Sequence, residues 1–130
     1  MQIPKNVWEQ LIRHFRCELP REGVGVLTGT PAGVHYLKLQ NTAQNEAHFR
    51  VSPQEWVSLL HALEEGNERL LAIVHSHPST PAEPSSEDLE GFSYPDAYML
   101  IVSLQHPHAP EAGLYKKTGQ RIERCPFEII

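Results

Sequence analysis

Residues 70–78 read Leu-Leu-Ala-Ile-Val-His-Ser-His-Pro, an apolar run that passes directly into two histidines and ends at a proline. An uninterrupted apolar run of this kind indicates a strand buried on both faces of a sheet. Side chains alternate along a strand, so His75 and His77 are expected on the same face at its end. Ser85 and Asp88 follow downstream and complete the pattern H-S-H-x7-S-x2-D.

This pattern supplies the ligands of a catalytic zinc site. The imidazoles of His75 and His77 and the carboxylate of Asp88 can converge on one cation, which leaves a fourth position open. Structural zinc sites are closed by four ligands, so an open site predicts hydrolytic chemistry. A plainer interpretation stays open at this point. An H-x-H pair at a strand end is commonly two polar residues leaving a sheet, and Ser85 with Asp88 also forms a helix start.

A glutamate further upstream extends the pattern. Glu22 precedes the glycine-punctuated apolar segment 23–29, and the whole set resembles the JAMM motif of the JAB-domain (MPN+) zinc metalloproteases, E…H-S/T-H-x7-S-x2-D. The resemblance continues through residues 49–52 and 97–104, so it covers most of the chain. It implies a single JAB/MPN metalloprotease domain over residues 1–130, of the prokaryotic stand-alone type. The implied fold is α/β (mixed α+β) and cytidine-deaminase-like, a curved mixed β-sheet flanked by helices.

The resemblance also implies a role for each residue of the motif. His75, His77 and Asp88 would hold one Zn²⁺ per chain, Glu22 would act as the general acid–base, and Ser85 would donate a hydrogen bond to the developing oxyanion. From the sequence alone, Glu22 is better explained as an exposed carboxylate at a turn. The JAMM pattern reverses that preference.

Composition narrows the class of protein. A chain of 130 residues suits one domain, and a net charge of −5 without a basic run argues against a nucleic-acid partner. No stretch approaches the roughly 20 apolar residues of a membrane span, and the N-terminus lacks the apolar core of a secretion signal. Cys17 and Cys125 form no C-x-x-C pair, which favours two reduced thiols. We therefore expect a cytoplasmic protein with no membrane partner. The sequence leaves homo-oligomerisation open.

Periodicity and capping signals predict the remaining elements. Ser52, Pro53 and Glu55 form a strong helix start with a capping box. The predicted helices cover residues 4–17, 53–66 and 85–91, and the predicted strands cover residues 23–30, 34–39, 49–51, 70–74, 97–104, 112–117 and 121–130. His106 and His108 form a second H-x-H pair, but no acidic residue follows at the spacing seen after His77. We expect an exposed loop there and no metal.

The family resemblance implies the substrate class as well. Its members cleave the amide bond beyond the C-terminal glycines of ubiquitin-like or sulfur-carrier proteins, and this compact chain has no room for the long insertions of deubiquitinating relatives. Two alternatives stay open. One is a zinc hydrolase of another small peptide, such as a cell-wall or phage-associated one. The other is a non-catalytic MPN-type module that binds a protein partner.

Overall fold

The structure is a computed structural model that describes residues 1–92, 94 and 96–130. In chain order, the elements are β1 (Gln2–Ile3), α1 (Lys5–Glu18), β2 (Val24–Thr30), β3 (Gly33–Leu39), α2 (Pro53–Glu65), β4 (Arg69–His77), α3 (Ser86–Gly91), β5 (Tyr98–Ser103), β6 (Glu111–Thr118), β7 (Arg121–Cys125) and β8 (Glu128–Ile129).

A six-stranded sheet runs through the molecule in the order β3-β2-β4-β5-β6-β7. β4 and β5 pair in parallel, whereas the other neighbouring strands pair antiparallel, so the sheet is mixed. A separate parallel pair, β1 with β8, joins the two ends of the chain. The fold is therefore the mixed α+β architecture that the sequence predicts. β4, which carries both histidines, lies in the interior of the sheet.

The two faces of the sheet are covered by different helices. On one face, Leu11 and Phe15 of α1 pack with Ala72 and Val74 of β4 in one buried cluster. On the opposite face, Leu59 and Leu63 of α2 pack with Ile73 of β4 in a second cluster. Alternation along β4 then places His75 and His77 on the α2 side. Each fully buried aliphatic side chain contributes about 1.5–3 kcal/mol, so these two clusters hold the strand firmly.

Most predicted elements are confirmed, with small shifts at their ends. Ser52 caps α2, since its hydroxyl oxygen accepts a hydrogen bond from the backbone N–H of Glu55 at 3.1 Å. The predicted reciprocal half of that capping box is wrong. The Glu55 carboxylate instead accepts a hydrogen bond from the backbone N–H of Gln40 at 3.0 Å. β4 is longer than predicted and contains both histidines within the strand.

Two other expectations differ from the structure. The predicted strand at residues 49–51 is wrong, because this segment pairs with no strand and is held by a side chain, as described below. The last predicted strand, residues 121–130, is divided into β7 and β8.

Cys17 and Cys125 are free thiols, as expected. Across the part of the chain that the structure describes, no helix has the length and hydrophobicity to cross a bilayer.

Candidate metal centre

Four predicted residues come together at the end of β4. Glu22, His75, His77 and Asp88 each offer one ligand atom, and these atoms all lie within 4.8 Å of one another. Glu22 lies just before β2, the two histidines end β4, and Asp88 is in the first turn of α3. The cluster is shielded from water, since Glu22, His75 and His77 are 4%, 1% and 7% exposed.

The Asp88 carboxylate lies between the two imidazoles. Its Oδ2 is 3.0 Å from His77 Nε2, and its Oδ1 is 3.7 Å from His75 Nε2. Glu22 faces the other nitrogen of His75, with 3.4 Å between its Oε1 and His75 Nδ1. The two carboxylate oxygens of Asp88 therefore face the Nε2 atoms of both histidines. Glu22 approaches from a different side of the His75 ring.

A backbone carbonyl fixes the orientation of His77. Its Nδ1 donates a hydrogen bond to the carbonyl oxygen of Pro81 at 2.8 Å, since a carbonyl can only accept. A neutral His77 therefore directs the lone pair of Nε2 at the Asp88 carboxylate. Two lone pairs facing each other need a cation between them, either a proton or a metal ion. Metal-binding histidines are commonly oriented by such a second hydrogen bond.

The pKa values of the cluster follow from the same arrangement. Burial lowers the pKa of His77, but the hydrogen bonds to Asp88 and Pro81, with the Asp88 and Glu22 charges, outweigh it and raise the pKa above the usual value. Burial raises the pKa of Asp88, but the hydrogen bond from His77, the proximity of His75 and the Ser85 N–H bring it down to about 2. The carboxylate of Asp88 is therefore ionised near neutral pH, as metal ligation requires.

Unsatisfied buried atoms show that the cluster fits a metal ion. Glu22 Oε1 and both ring nitrogens of His75 are buried without a hydrogen-bond partner among the described residues. A buried polar atom left unpaired costs about 1–3 kcal/mol. Imidazole nitrogens and carboxylate oxygens are the donors that zinc accepts. A cation between His75 Nε2 and Asp88 would remove the cost at that nitrogen, whereas His75 Nδ1 faces Glu22 Oε1.

Ser85 lies beside the cluster as the N-cap of α3. Its hydroxyl oxygen accepts the backbone N–H of Asp88 at 3.1 Å, and its own N–H donates to Asp88 Oδ2 at 2.9 Å, which completes a capping box. This confirms the helix start that the sequence indicates. Because the oxygen acts as acceptor in the capping box, the hydroxyl hydrogen remains available to donate. The same box fixes the Asp88 carboxylate toward the histidines.

The segment that carries Glu22 is tied directly to β4. Ser76, between the two histidines, points to the opposite side of the strand, where its hydroxyl oxygen accepts the N–H of Gly23 at 2.8 Å. The backbone N–H of Ser76 donates to the Gly23 carbonyl at 3.0 Å. A Cβ on Gly23 would lie 2.4 Å from the ring of Phe15, so only glycine lets the chain pass α1 this closely.

An apolar cavity of about 510 Å³ opens beside the cluster. His75 and Asp88 form part of its wall, and the rest includes Phe49, Val51, Trp56, Ile73, Phe92 and Met99. The Phe49 ring stacks on His75 with 4.6 Å between centroids and an interplanar angle of 27°. Sequence reasoning missed these neighbours, because the signal at Phe49 was interpreted as a strand. His106 and His108 are exposed and lie outside the cluster.

Comparison with known proteins identifies the class. The sequence profile described as "Prokaryotic homologs of the JAB domain" matches residues 4–114. The chain therefore belongs to this family of prokaryotic JAB-domain proteins, as the motif predicts.

Two relatives are similar over most of the chain. A Mycobacterium tuberculosis protein named "CysO-cysteine peptidase" is 28% identical over 132 residues, covering 98% of this chain and 90% of the relative. A Thermus thermophilus protein named "Probable TtuB-protein conjugate cleaving protease" is 31% identical over 102 residues, covering 78% of this chain and 69% of the relative. The first name describes a peptidase, and the second describes a protease that cleaves protein conjugates.

Solved structures are similar in fold. A protein of Desulfitobacterium hafniense superposes with a TM-score of 0.87 at 27% identity, covering 100% of this chain and 93% of the other. A JAB1/MPN domain protein of Archaeoglobus fulgidus gives a TM-score of 0.63 at 22% identity, covering 100% of this chain and 99% of the other. The second likeness supports the fold alone.

Proposed function

We propose that this protein is a zinc-dependent peptidase that cleaves the amide or isopeptide bond after the C-terminal Gly-Gly of a small ubiquitin-like or sulfur-carrier protein. The observation that carries the proposal is the buried cluster of Glu22, His75, His77 and Asp88 beside an apolar cavity. Several possible metal-ligand atoms of this cluster have no hydrogen-bond partner among the described residues. The names of the relatives support the substrate class, since they refer to a CysO–cysteine bond and to TtuB–protein conjugates.

In this proposal, the protein residues divide into ligands and reacting groups. His75, His77 and Asp88 would hold zinc, which supplies a Lewis acid that lowers the pKa of water and polarises a carbonyl. Glu22 accepts a proton from the attacking water and passes it to the leaving amine, a role that typically contributes about 10²–10⁴-fold. No side chain forms a covalent intermediate, so neither cysteine takes part.

Ser85 and the cavity complete the proposed mechanism. The Ser85 hydroxyl hydrogen donates to the carbonyl oxygen as that oxygen gains negative charge. The apolar walls hold an extended substrate segment next to the cluster and exclude water. A diglycine suits this site because a residue without a Cβ lets the backbone approach closely.

Matched substrates test the proposal. A small ubiquitin-like carrier with a C-terminal extension is prepared with either Gly-Gly or Gly-Val before the extension, and products of the zinc-loaded protein are read by mass spectrometry. We expect cleavage directly after Gly-Gly, sharply lower cleavage after Gly-Val, and none after chelation. Equal rates on the two carriers would exclude a diglycine-reading site and favour a hydrolase of other small peptides. Tight carrier binding without any cleavage would instead favour the non-catalytic module.

A further inference from the structure

The Asn41 side chain makes an unusually complete set of hydrogen bonds near the candidate metal centre. Asn41 follows β3, is 8% exposed, and has no predicted role. Its Nδ2 donates to the carbonyl oxygens of Glu22 at 2.7 Å and His48 at 3.0 Å. Its Oδ1 accepts the backbone N–H groups of Ala43 at 2.9 Å and Arg50 at 3.0 Å. Both donors and both lone pairs of the amide are used.

One end of this network fixes Glu22. The Glu22 carbonyl is held by Asn41, and the next residue, Gly23, is held by Ser76 through both its N–H and its carbonyl. The backbone around Glu22 is therefore bound from two directions, by a loop and by β4. Because the backbone of Glu22 is fixed, its carboxylate is held within reach of His75.

The other end of the network fixes Phe49. The His48 carbonyl and the Arg50 N–H belong to the two peptide groups that flank Phe49, and Asn41 binds both. The Phe49 ring in turn stacks on His75. A strand partner would ordinarily satisfy such backbone groups. Here one side-chain amide does so, which explains how residues 49–51 are held in place without belonging to the sheet.

We propose that Asn41 is a positioning residue that fixes Glu22 and Phe49 relative to His75, and so sets the geometry of the reaction. Its side chain makes no hydrogen bond to His75, His77 or Asp88 and acts through the backbone around the two residues that face His75. An aspartate cannot replace it, because a carboxylate would oppose the carbonyl oxygens of Glu22 and His48. The inference rests on the proposed function only for the role of Glu22.

Turnover of the zinc-loaded protein on the Gly-Gly carrier gives the first test. Asn41→Ala and Asn41→Asp should each lower kcat about 10²-fold, because a small misplacement of a reacting group costs on that order. In the Glu22→Gln background, Asn41→Ala should cause no comparable further loss, since the group that it positions is already disabled. Thr42→Ala is the matched control: it removes the 3.0 Å hydrogen bond from Thr42 Oγ1 to the Arg50 carbonyl in the same loop but touches no part of Glu22. It should keep kcat.

Losses that multiply fully in the double variant would overturn the proposal, and so would a kcat for Asn41→Asp equal to that of the wild type. Asn41→Asp keeps acceptors for the N–H groups of Ala43 and Arg50, so it decides the question if Asn41→Ala does not fold.

A readout without substrate separates this inference from the proposed function. The stacked Phe49 ring shifts the NMR signals of the His75 ring protons, and Phe49→Leu gives the reference without that ring current. Asn41→Ala should move the His75 signals toward the Phe49→Leu values, whereas Thr42→Ala should not. Unchanged His75 signals in folded Asn41→Ala would sink the inference. If the wild-type protein cleaves no carrier, the proposed function fails, but this measurement still decides the role of Asn41.

Discussion

Glu22 lies among groups that would favour its use as a base. Its carboxylate is 4% exposed and faces His75 Nδ1 at 3.4 Å. Its Oε1 has no hydrogen-bond partner among the described residues, which suits the proposed role of Glu22 as a proton acceptor. The local sequence alone suggests that Glu22 is an exposed carboxylate at a turn. Such a carboxylate would have none of these properties.

We expect Glu22→Gln to retain zinc and fold but to lose about 10²–10⁴-fold in turnover, because an amide cannot accept and pass on the proton. Elemental analysis gives the zinc content, and cleavage of the Gly-Gly carrier gives the rate. Glu18→Gln is the control, since Glu18 lies beside His14, with 3.6 Å between Glu18 Oε1 and His14 Nε2, and outside the metal cluster. Near-normal turnover of zinc-loaded Glu22→Gln would show that the base lies elsewhere.

At the scale of elements, the short helix α3 carries Asp88 and begins at Ser85, two of the predicted site residues. It spans six residues and buries none of them, so packing does little to hold it. The capping box of Ser85 and Asp88 orders its first turn. The contacts of Asp88 with the two histidines, and a 3.0 Å hydrogen bond from Lys117 Nζ to the Leu89 carbonyl, connect it to the rest of the molecule. Capping and ligation are thus compatible, because a carboxylate at the third helical position can do both.

Ser85→Ala should therefore have two separable effects. Loss of the cap should lower the free energy of unfolding by about 1 kcal/mol, measured by denaturant titration. Loss of the hydroxyl donor should lower turnover by about 10²–10³-fold at a temperature where the variant is folded and zinc-loaded. Ser86→Ala, one residue on and also exposed, is the control for both. A stability loss with unchanged turnover would reduce Ser85 to a helix cap.

The elements also show what the sequence could predict. β4 and the H-S-H-x7-S-x2-D spacing were readable because strand alternation and helix capping act locally, and they correctly bring His75, His77 and Asp88 together. The position of Phe49 could not be predicted from the sequence. The backbone of its irregular loop is held by side-chain hydrogen bonds, and these leave no periodic pattern in the sequence. The pairing of β1 with β8 was missed for a similar reason, since two-residue strands carry no alternation.

At the scale of the whole molecule, the cluster joins parts of the chain that are distant in sequence. Glu22 precedes β2, the histidines end β4, and Asp88 lies in α3. A metal ion bound to residues from two of these elements would stabilise the folded state, because the unfolded chain does not preform such a site. Metal binding should then appear in thermal stability as well as in activity.

We expect zinc to raise Tm and a chelator to reverse the change, with a stabilisation of about 2.7 kcal/mol when free zinc is 100 times Kd. The effect should shrink on acidification. The pKa of His77 is raised in the metal-free fold, so its protonation stabilises that fold below the ordinary histidine pKa of 6.5, and this contribution is lost as pH rises through the raised value. Zinc binds the neutral imidazole, so the stabilisation by zinc should increase as pH rises, whereas the stabilisation by protonation of His77 decreases.

Melting curves of zinc-loaded and chelated protein between about pH 8 and 5 measure this difference. As pH is lowered, the difference in Tm should begin to decline while the pH is still above the ordinary histidine pKa. The pKa of His77 is raised, so protons already compete with zinc for this side chain there. His77→Ala should abolish the difference, since two remaining ligands form an inadequate donor set. His108→Ala should leave it unchanged, because His108 lies in an exposed loop outside the cluster. A full zinc-dependent rise in Tm in His77→Ala would contradict the assignment of His77 as a ligand.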